Sequence, residues 1–290
     1  MERALKHALG PLASAALARE VDLVCEVLPD VGEYVLGERR EFMDLVARAT
    51  APAMVSARGG EVSVRVARQK AGFDATDRVL VSVSIRRPDG VEDVESLEMV
   101  LPIAQRVDAR EEARELTGMR VLLVVPGLYQ ASVQRLAARR FGATVESVHD
   151  VGSARERMRE AARQEAPIDV LYLDDTSGHV VELLHEVQSD SSLGNPSGLV
   201  GTALGLGPAR DAYRGAGAAL TLSKPVLPFE LRDTLMQVRD MGVGNTLAPS
   251  AAGLDALSAA VSPRRASGIR RVRLAEVLAS LAIGSDPRRR

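Results

Sequence analysis

Between residues 117 and 240 the chain alternates five times between a short apolar run and a helical pattern, which leaves few folds open to this half of the sequence. The last helical pattern covers residues 228–238. Strands that alternate with helices predict a doubly wound parallel sheet, here with five strands. The apolar runs that are typical of buried parallel strands include 119–124, 169–174, 199–203 and 222–226.

Three polar positions lie at the ends of these apolar runs, in a fixed order. Asp174 closes one run, Thr202 follows in the next, and Lys224 stands directly before Pro225 in the last. The spacing is 28 residues and then 22 residues. Because functional groups in parallel α/β sheets collect at the carboxyl ends of the strands, we expect these side chains to share one edge of the sheet.

This order and spacing resemble the receiver domains of response regulators in two-component signalling. The resemblance implies that Asp174 is the phosphoacceptor, although Asp175 directly after it could also serve. It implies that the Thr202 hydroxyl bonds a phosphoryl oxygen and that the Lys224 ammonium pairs with the aspartate or the phosphoryl group. In that family, Mg²⁺ held by a nearby acidic pair neutralises the charge that meets the incoming phosphoryl group.

Two parts of the receiver apparatus are replaced in this chain. Val125 and Pro126 stand where the family carries its metal-binding acidic pair. Thr221 stands three residues before the lysine, where the family carries the aromatic switch residue. The resemblance therefore implies a receiver fold from which the metal pair and the aromatic reporter have been lost.

Two interpretations of the remaining polar residues stay open. In the first, Asp174 and Lys224 form a static ion pair, with Thr202 closing the network, in a pocket that never receives phosphate. In the second, Asp174 still accepts a phosphoryl group. We favour the first because phosphoryl transfer depends strongly on neutralising the charge that develops.

The first part of the chain predicts an α+β layer of four strands and two helices. Helical spacing covers 3–19 and 37–57, and Pro52 is expected to kink the second helix or to end it near Ala51. A turn is predicted at 88–90. Alternation with a period of two predicts strands over 21–27, 61–66, 79–85 and 95–103.

Residues 37–66 resemble the start of the ATP-binding domain of sensor histidine kinases, arranged as an α+β sandwich. The resemblance places Arg48 and Pro52 where the family has two asparagines, the second of which holds the magnesium of ATP. Arg86 replaces the aspartate that receives the adenine amino group, and arginine cannot accept that hydrogen bond. Pro88 replaces a glycine, and the nucleotide lid is missing. We therefore expect no ATP binding and no kinase activity.

Composition excludes several functional classes. A net charge of -2 provides no global field for nucleic acid or membranes, and 3% aromatic residues disfavour base-stacking platforms. Cys25, the single cysteine, excludes an intramolecular disulfide and is predicted to be a buried structural thiol. No apolar stretch approaches the roughly 20 residues that cross a bilayer, so a cytoplasmic location is expected. His149, His179 and His185 lack metal-ligand spacing and are expected at the surface.

The domain organisation predicted from these patterns has three parts: a degenerate kinase ATPase-like domain over 1–106, a receiver-like domain over 117–240, and a linker with a basic amphipathic tail over 241–290. Residues 105–116 form a charged connector. The tail suits docking on a partner, an acidic membrane or nucleic acid, and equally suits a solvated segment. All of these interpretations of the tail stay open, but binding to nucleic acid or to a membrane is less favoured than the others.

These observations predict an α/β protein that acts without catalysis, through protein contacts in a two-component pathway, and needs no cofactor. We expect its partner to be a kinase, regulator or effector, and homo-oligomerisation stays open. The contact face is expected on the helix at 129–141 and the Lys224–Pro225 loop, by analogy with receivers. The alternative is a response regulator in which Asp174 accepts a phosphoryl group, with Mg²⁺ as cofactor and the tail as the output element. A kinase-type enzyme is a third, disfavoured hypothesis.

Overall fold

Nine strands in the described part of the chain form two separate sheets. The computed structural model describes residues 1–31, 38–57, 59–69, 78–86, 92–99, 115–202 and 207–241. The described residues up to 99 belong to one unit, and those from 115 onward belong to a second. The predicted connector before residue 115 and the predicted linker and tail after Met241 lie outside the described residues.

The first unit combines a four-stranded mixed sheet with two long helices. Strands follow the order β1-β2-β3-β4, in which the first pair is parallel and the other two pairs are antiparallel. The predicted turn at 88–90 lies outside the described residues. The elements are α1 (Glu2–Leu17), β1 (Asp22–Val27), α2 (Arg39–Ser56), β2 (Glu61–Gln69), β3 (Arg78–Arg86) and β4 (Glu92–Met99).

The core of the first unit lies between the two helices and one face of its sheet. Alternate residues of the two central strands are buried, which places them on the same face, because side chains along a strand alternate between faces. Helices α1 and α2 contact each other and the sheet. The buried residues that form this layer include Leu5, Leu9, Leu12, Met54, Val62, Val64, Val66, Val79, Val81 and Val83.

Helix α2 continues through Pro52 to Ser56, so of the two outcomes predicted for Pro52, a kink or an end near Ala51, the end is wrong. A proline in a helix removes one backbone hydrogen bond and costs about 3 kcal/mol. Here Pro52 is exposed, while its neighbours Ala53 and Met54 are buried against the core. The burial of the last turn offsets the local preference of proline to end a helix.

The second unit is a five-stranded sheet in which every pairing is parallel. The strand order β6-β5-β7-β8-β9 is the doubly wound, flavodoxin-like order, which confirms the predicted fold of this region. Its strands are β5 (Arg120–Val124), β6 (Thr144–Val148), β7 (Val170–Asp174), β8 (Ser197–Thr202) and β9 (Ala218–Ser223). Its helices are α3 (Leu128–Arg140), α4 (Val151–Arg163), α5 (Val180–Ser189), α6 (Gly207–Gly215) and α7 (Pro228–Asp240).

Both faces of this parallel sheet are buried, which explains the continuous apolar runs of the sequence. Leu123 of β5 and Tyr172 of β7 belong to the core under α3 and α7. Leu122 and Leu173 of the same strands belong to the core under α4, α5 and α6. Helix α3 therefore lies over the side of β7 that carries Tyr172, which is the side that Asp174 shares at the end of the strand.

Among the helices of the described residues, none combines the length and the apolar character needed to cross a bilayer.

Candidate functional site

The carboxyl ends of β7, β8 and β9 place the predicted polar residues at one edge of the second sheet. Asp174 is the last residue of β7 and pairs in register with Gly201 of β8. Thr202 is the last residue of β8, and its carbonyl oxygen accepts a hydrogen bond of 2.8 Å from the backbone nitrogen of Lys224. The topology alone thus brings these distant parts of the sequence to one edge.

Asp174 is completely buried, and both of its carboxylate oxygens accept hydrogen bonds. Oδ1 accepts from the backbone nitrogen of Thr176 at 3.0 Å, from its hydroxyl at 2.6 Å, and from Lys224 Nζ at 2.6 Å. Oδ2 accepts from Gln130 Nε2 at 2.7 Å. A buried carboxylate is costly without such partners, and these contacts satisfy it within the protein.

Lys224 holds two carboxylates at once. Its Nζ lies 2.6 Å from Asp174 Oδ1 and 2.8 Å from Asp175 Oδ1, and only 12% of its side chain is exposed. Burial acts to lower the pKa of Lys224, but the charges of Asp174 and Asp175 outweigh it and raise that pKa above its usual value. Lys224 is therefore the cation of the site throughout the neutral range.

Thr202 is fully buried, yet its hydroxyl has no hydrogen-bond partner within the described ranges. The expectation that Thr202 closes the Asp174–Lys224 network is therefore wrong. The network is completed instead by Thr176 and Gln130. Buried hydroxyls are usually hydrogen-bonded, so Thr202 marks the one polar side chain of this trio that the protein leaves without a contact of its own.

The positions expected to have lost the acidic metal pair cannot bind Mg²⁺ through their side chains. Val125 is buried, and its backbone nitrogen donates to the carbonyl oxygen of Val148 at 3.0 Å, while Pro126 is exposed. Mg²⁺ binds oxygen ligands, and neither side chain has one. No cluster of three or more histidine, cysteine, aspartate or glutamate residues suited to a metal occurs in the part of the chain described. The side chains at these two positions therefore do not fit this ion.

Sequence reasoning missed two buried glutamines on α3. Gln130 bonds Asp174, and Gln134, one turn later, donates to the buried Tyr172 hydroxyl oxygen at 3.1 Å. Burial, with the charge of Asp174 adding to it, raises the pKa of Tyr172 well above its usual value. The available signal was their spacing of four residues in a helix whose neighbouring positions, Ala131, Val133, Ala137 and Ala138, are buried.

Tyr172 also explains a glycine in the neighbouring strand. A Cβ atom at Gly201 would overlap the Tyr172 hydroxyl oxygen and lie 2.7 Å from Cζ, closer than real Cβ contacts. Gly201 is therefore required for close approach of the tyrosine, and the ring fills the space beneath Asp174 on the α3 side of the sheet.

The histidines, Thr221 and Cys25, for which the sequence also gives predictions, are not among the partners of Asp174 described above. His149 and His179 are exposed, as predicted, whereas His185 is half-buried with a buried Nε2, so the surface prediction is wrong for His185. Thr221 lies half-buried in β9, paired with Val200. Cys25 is buried, and burial first, then the charge of Glu2, raises its pKa, as suits a structural thiol.

In the first unit, the residues at the expected nucleotide positions make ordinary surface contacts. Arg48 is exposed on α2, and its Nε donates to the carbonyl oxygen of Asp44 at 3.2 Å. Arg86 ends β3 and lies 3.9 Å from the carboxylate of Glu61, its partner in register on β2. Pro88 and residues 100–103 lie outside the described residues.

Solved structures share this fold. Over 82% of its length the chain matches ShkA, a hybrid histidine kinase crystallised full-length with AMPPNP, with a TM-score of 0.57 and 15% sequence identity. The chain spans only 56% of the length of ShkA, and at this identity the likeness shows the fold alone. No protein-family model matches the chain, and no curated protein sequence matches it.

Shorter matches cover less than half of the chain. The chemotaxis response regulator CheY4 of Vibrio cholerae matches 42% of this chain and 99% of its own, with 25% identity and a TM-score of 0.36. A response regulator from Thermotoga maritima matches 43% of this chain and 99% of its own, with 17% identity and a TM-score of 0.37.

Replacing Lys224 with methionine should destabilise the second unit by about 3–5 kcal/mol at pH 7, because Asp174 and Asp175 then lack their cation. Since the folded-state pKa of Lys224 is raised, its contribution is complete below the unfolded value of about 10.4 and is lost above it. The difference in unfolding free energy between the wild type and Lys224→Met should therefore become smaller only at strongly alkaline pH. Urea unfolding, followed by the methyl NMR signals of Leu171 and Leu173, measures this.

Lys6→Met provides the matched control, since it removes a lysine from α1 in the first unit. It should leave the unfolding of the second unit unchanged. A stabilising role of the ion pair would be contradicted if both variants destabilised the second unit equally. It would also be contradicted if the stability of Lys224→Met matched that of the wild type already at neutral pH.

Proposed function

We propose that this chain is a non-catalytic signalling protein of the two-component type, which acts through protein contacts and carries a pseudo-receiver as its second unit. The observation that carries this proposal is the state of Asp174. Its side chain has no exposed surface, and donors from the protein occupy both oxygens. A carboxylate in that state supports the local structure and presents no oxygen to a phosphoryl donor.

The charge balance of the pocket supports the same proposal. Asp174 and Asp175 both bind Lys224, so an incoming phosphoryl group would bring further negative charge beside two carboxylates. Catalysis of phosphoryl transfer is mostly positioning and electrostatic stabilisation. Val125 and Pro126 provide no side-chain oxygen to hold the ion that would supply it.

We further propose that the first unit is a pseudokinase domain that does not bind ATP. The match to ShkA covers 82% of the chain, a larger share than either unit provides alone, which supports a kinase-type arrangement in the first unit. Arg48 and Pro52 are exposed on α2, and neither can replace a neutral oxygen ligand for the magnesium of ATP. Arg86 pairs with Glu61 and has no acceptor for an adenine amino group.

Calorimetric titration of the full chain with ATP and Mg²⁺ should give no saturable heat. The expectation follows from the lost ligand positions of the first unit and applies equally to ADP. Saturable binding with a stoichiometry near one, abolished by adding excess ADP, would contradict the pseudokinase proposal without touching the proposal for the second unit.

The contact surface that we propose is the outer face of α3. This 13-residue helix has no acidic residue and carries Arg135, Arg139 and Arg140 in its second half. Leu128 and Leu136 are exposed to 71% and 59% on this helix. An apolar and basic face of this kind suits an acidic partner surface. The Lys224–Pro225 loop, the second part of the contact face predicted from the sequence, is not included in this proposed surface. Pro225 is buried, and Lys224 is bound to two carboxylates.

A photo-reactive benzoylphenylalanine in place of Leu136 should cross-link in cells to a kinase, regulator or effector of a two-component pathway. The same amino acid in place of Glu156, which is exposed on α4, serves as the control. Mass spectrometry of the adducts identifies the partner. Cross-links of equal yield at both positions, or adducts only with proteins outside signalling, would contradict a partner surface on α3.

A second candidate is a response regulator that accepts phosphate on Asp174, and one observation favours it. The buried hydroxyl of Thr202 has no partner in the described segments, which is the state expected of a group that bonds a ligand oxygen. For this candidate the hydrogen bonds of Asp174 would have to open first.

Titration of labelled full-length protein with Mg²⁺ and beryllofluoride, a phosphoryl mimic, separates the two candidates. Under the first proposal, the backbone amide NMR signals of Thr176, Thr202 and Lys224 should not move. Shifts of these signals that vanish in Asp174→Ala would instead establish a working receiver.

A further inference from the structure

The second carboxylate oxygen of Asp174 has a different environment from the first. Oδ1 accepts three hydrogen bonds, from the turn that follows β7 and from Lys224. Oδ2 accepts the bond from Gln130 Nε2, which arrives from α3 on the other side of the pocket. The contact made by Gln130 therefore decides whether Oδ2 is covered or open.

The Gln130 side chain is buried, with 5% of it exposed, and its Nε2 donates to Asp174 Oδ2. A buried amide is costly unless it is hydrogen-bonded, which favours this contact. Gln134, 3% exposed, makes a parallel contact to Tyr172, so two glutamines one helical turn apart connect α3 to β7. The contact between Gln130 and Asp174 thus belongs to a layer of buried side chains between α3 and β7.

An amide and a metal ion satisfy a carboxylate in different ways. Mg²⁺ brings two positive charges and requires oxygen ligands in near-octahedral geometry. The Gln130 amide brings a donor without net charge, and it fills the space beside Oδ2. Val125 and Pro126 offer no side-chain ligand for an ion, and the hydrogen bond from Gln130 satisfies the second oxygen of Asp174 without one.

We propose that Gln130 is a built-in ligand of Asp174, whose amide closes the pocket and makes it independent of metal. This inference rests on the proposed function of the second unit and names the residue responsible for it. Two side chains would then have opposite effects at position 130. A carboxylate there, within reach of Asp174 and with Asp175 bound to the same lysine, would make a cluster of acidic oxygens suited to Mg²⁺. A small side chain there would leave Oδ2 open.

The test compares Gln130→Glu with Gln134→Glu in the full-length chain, by thermal unfolding with and without Mg²⁺. Both variants should lower the Tm of the second unit, the first because like charges meet at hydrogen-bond distance and the second because a charge enters an apolar layer. Saturating Mg²⁺ should raise the Tm of Gln130→Glu by at least about 4 °C. It should leave Gln134→Glu and the wild type unchanged, since neither has the added carboxylate beside Asp174.

A folded Gln130→Glu protein with no Mg²⁺ response, or an equal response of Gln134→Glu, would overturn the inference. If Gln130→Glu does not fold, the shorter Gln130→Asp replaces it. Saturating Mg²⁺ should then shift the amide signals of Thr176 and Lys224 in Gln130→Asp and leave them fixed in the wild type, and no shift in the variant would overturn the inference. A wild-type protein that responds as strongly as the variant would instead contradict the proposed function.

Discussion

The buried ion pair between Lys224 and Asp174 fixes the carboxyl edge of the second sheet. A carboxylate with no exposed surface is stable only beside a cation and hydrogen-bond donors, so the strands must bring Lys224 next to β7. The same carboxylate holds the turn after β7 through Thr176 and holds α3 through Gln130. Loop, helix and sheet therefore meet at one side chain, and its burial sets the position of all three.

Much of this arrangement follows from sequence alone, for identifiable physical reasons. Strands buried on both faces are continuous apolar runs, so β5, β7 and β8 could be recognised, and parallel topology then brings Asp174 and Lys224 together. The role of Gln130 could not be predicted, because a polar residue on a helix has the same pattern whether it faces solvent or a buried carboxylate. Helix α2 continues past Pro52 because the burial of Met54, a tertiary effect, outweighs a local preference.

The two units differ in fold, but in both of them the residues at the expected functional positions contact neighbouring parts of the same unit. In the second unit, the donors around Asp174 are a lysine, a threonine and a glutamine, which together satisfy a carboxylate without an ion. In the first unit, Arg48 and Arg86 make a helix contact and an ion pair across neighbouring strands. At each of these positions the side chain contacts its own surroundings, which agrees with the proposal that both units act without catalysis.

The contact between Tyr172 and Gly201 couples the residues that these two positions can hold. A Cβ atom at position 201 would overlap the tyrosine hydroxyl, so a larger residue at 201 requires a smaller residue at 172 or a shift of the ring. Because Gln134 donates to that hydroxyl, a shift of the ring would also break a contact to α3. Substitutions at 172 and 201 are therefore non-additive, because the change at one position decides what the other position tolerates.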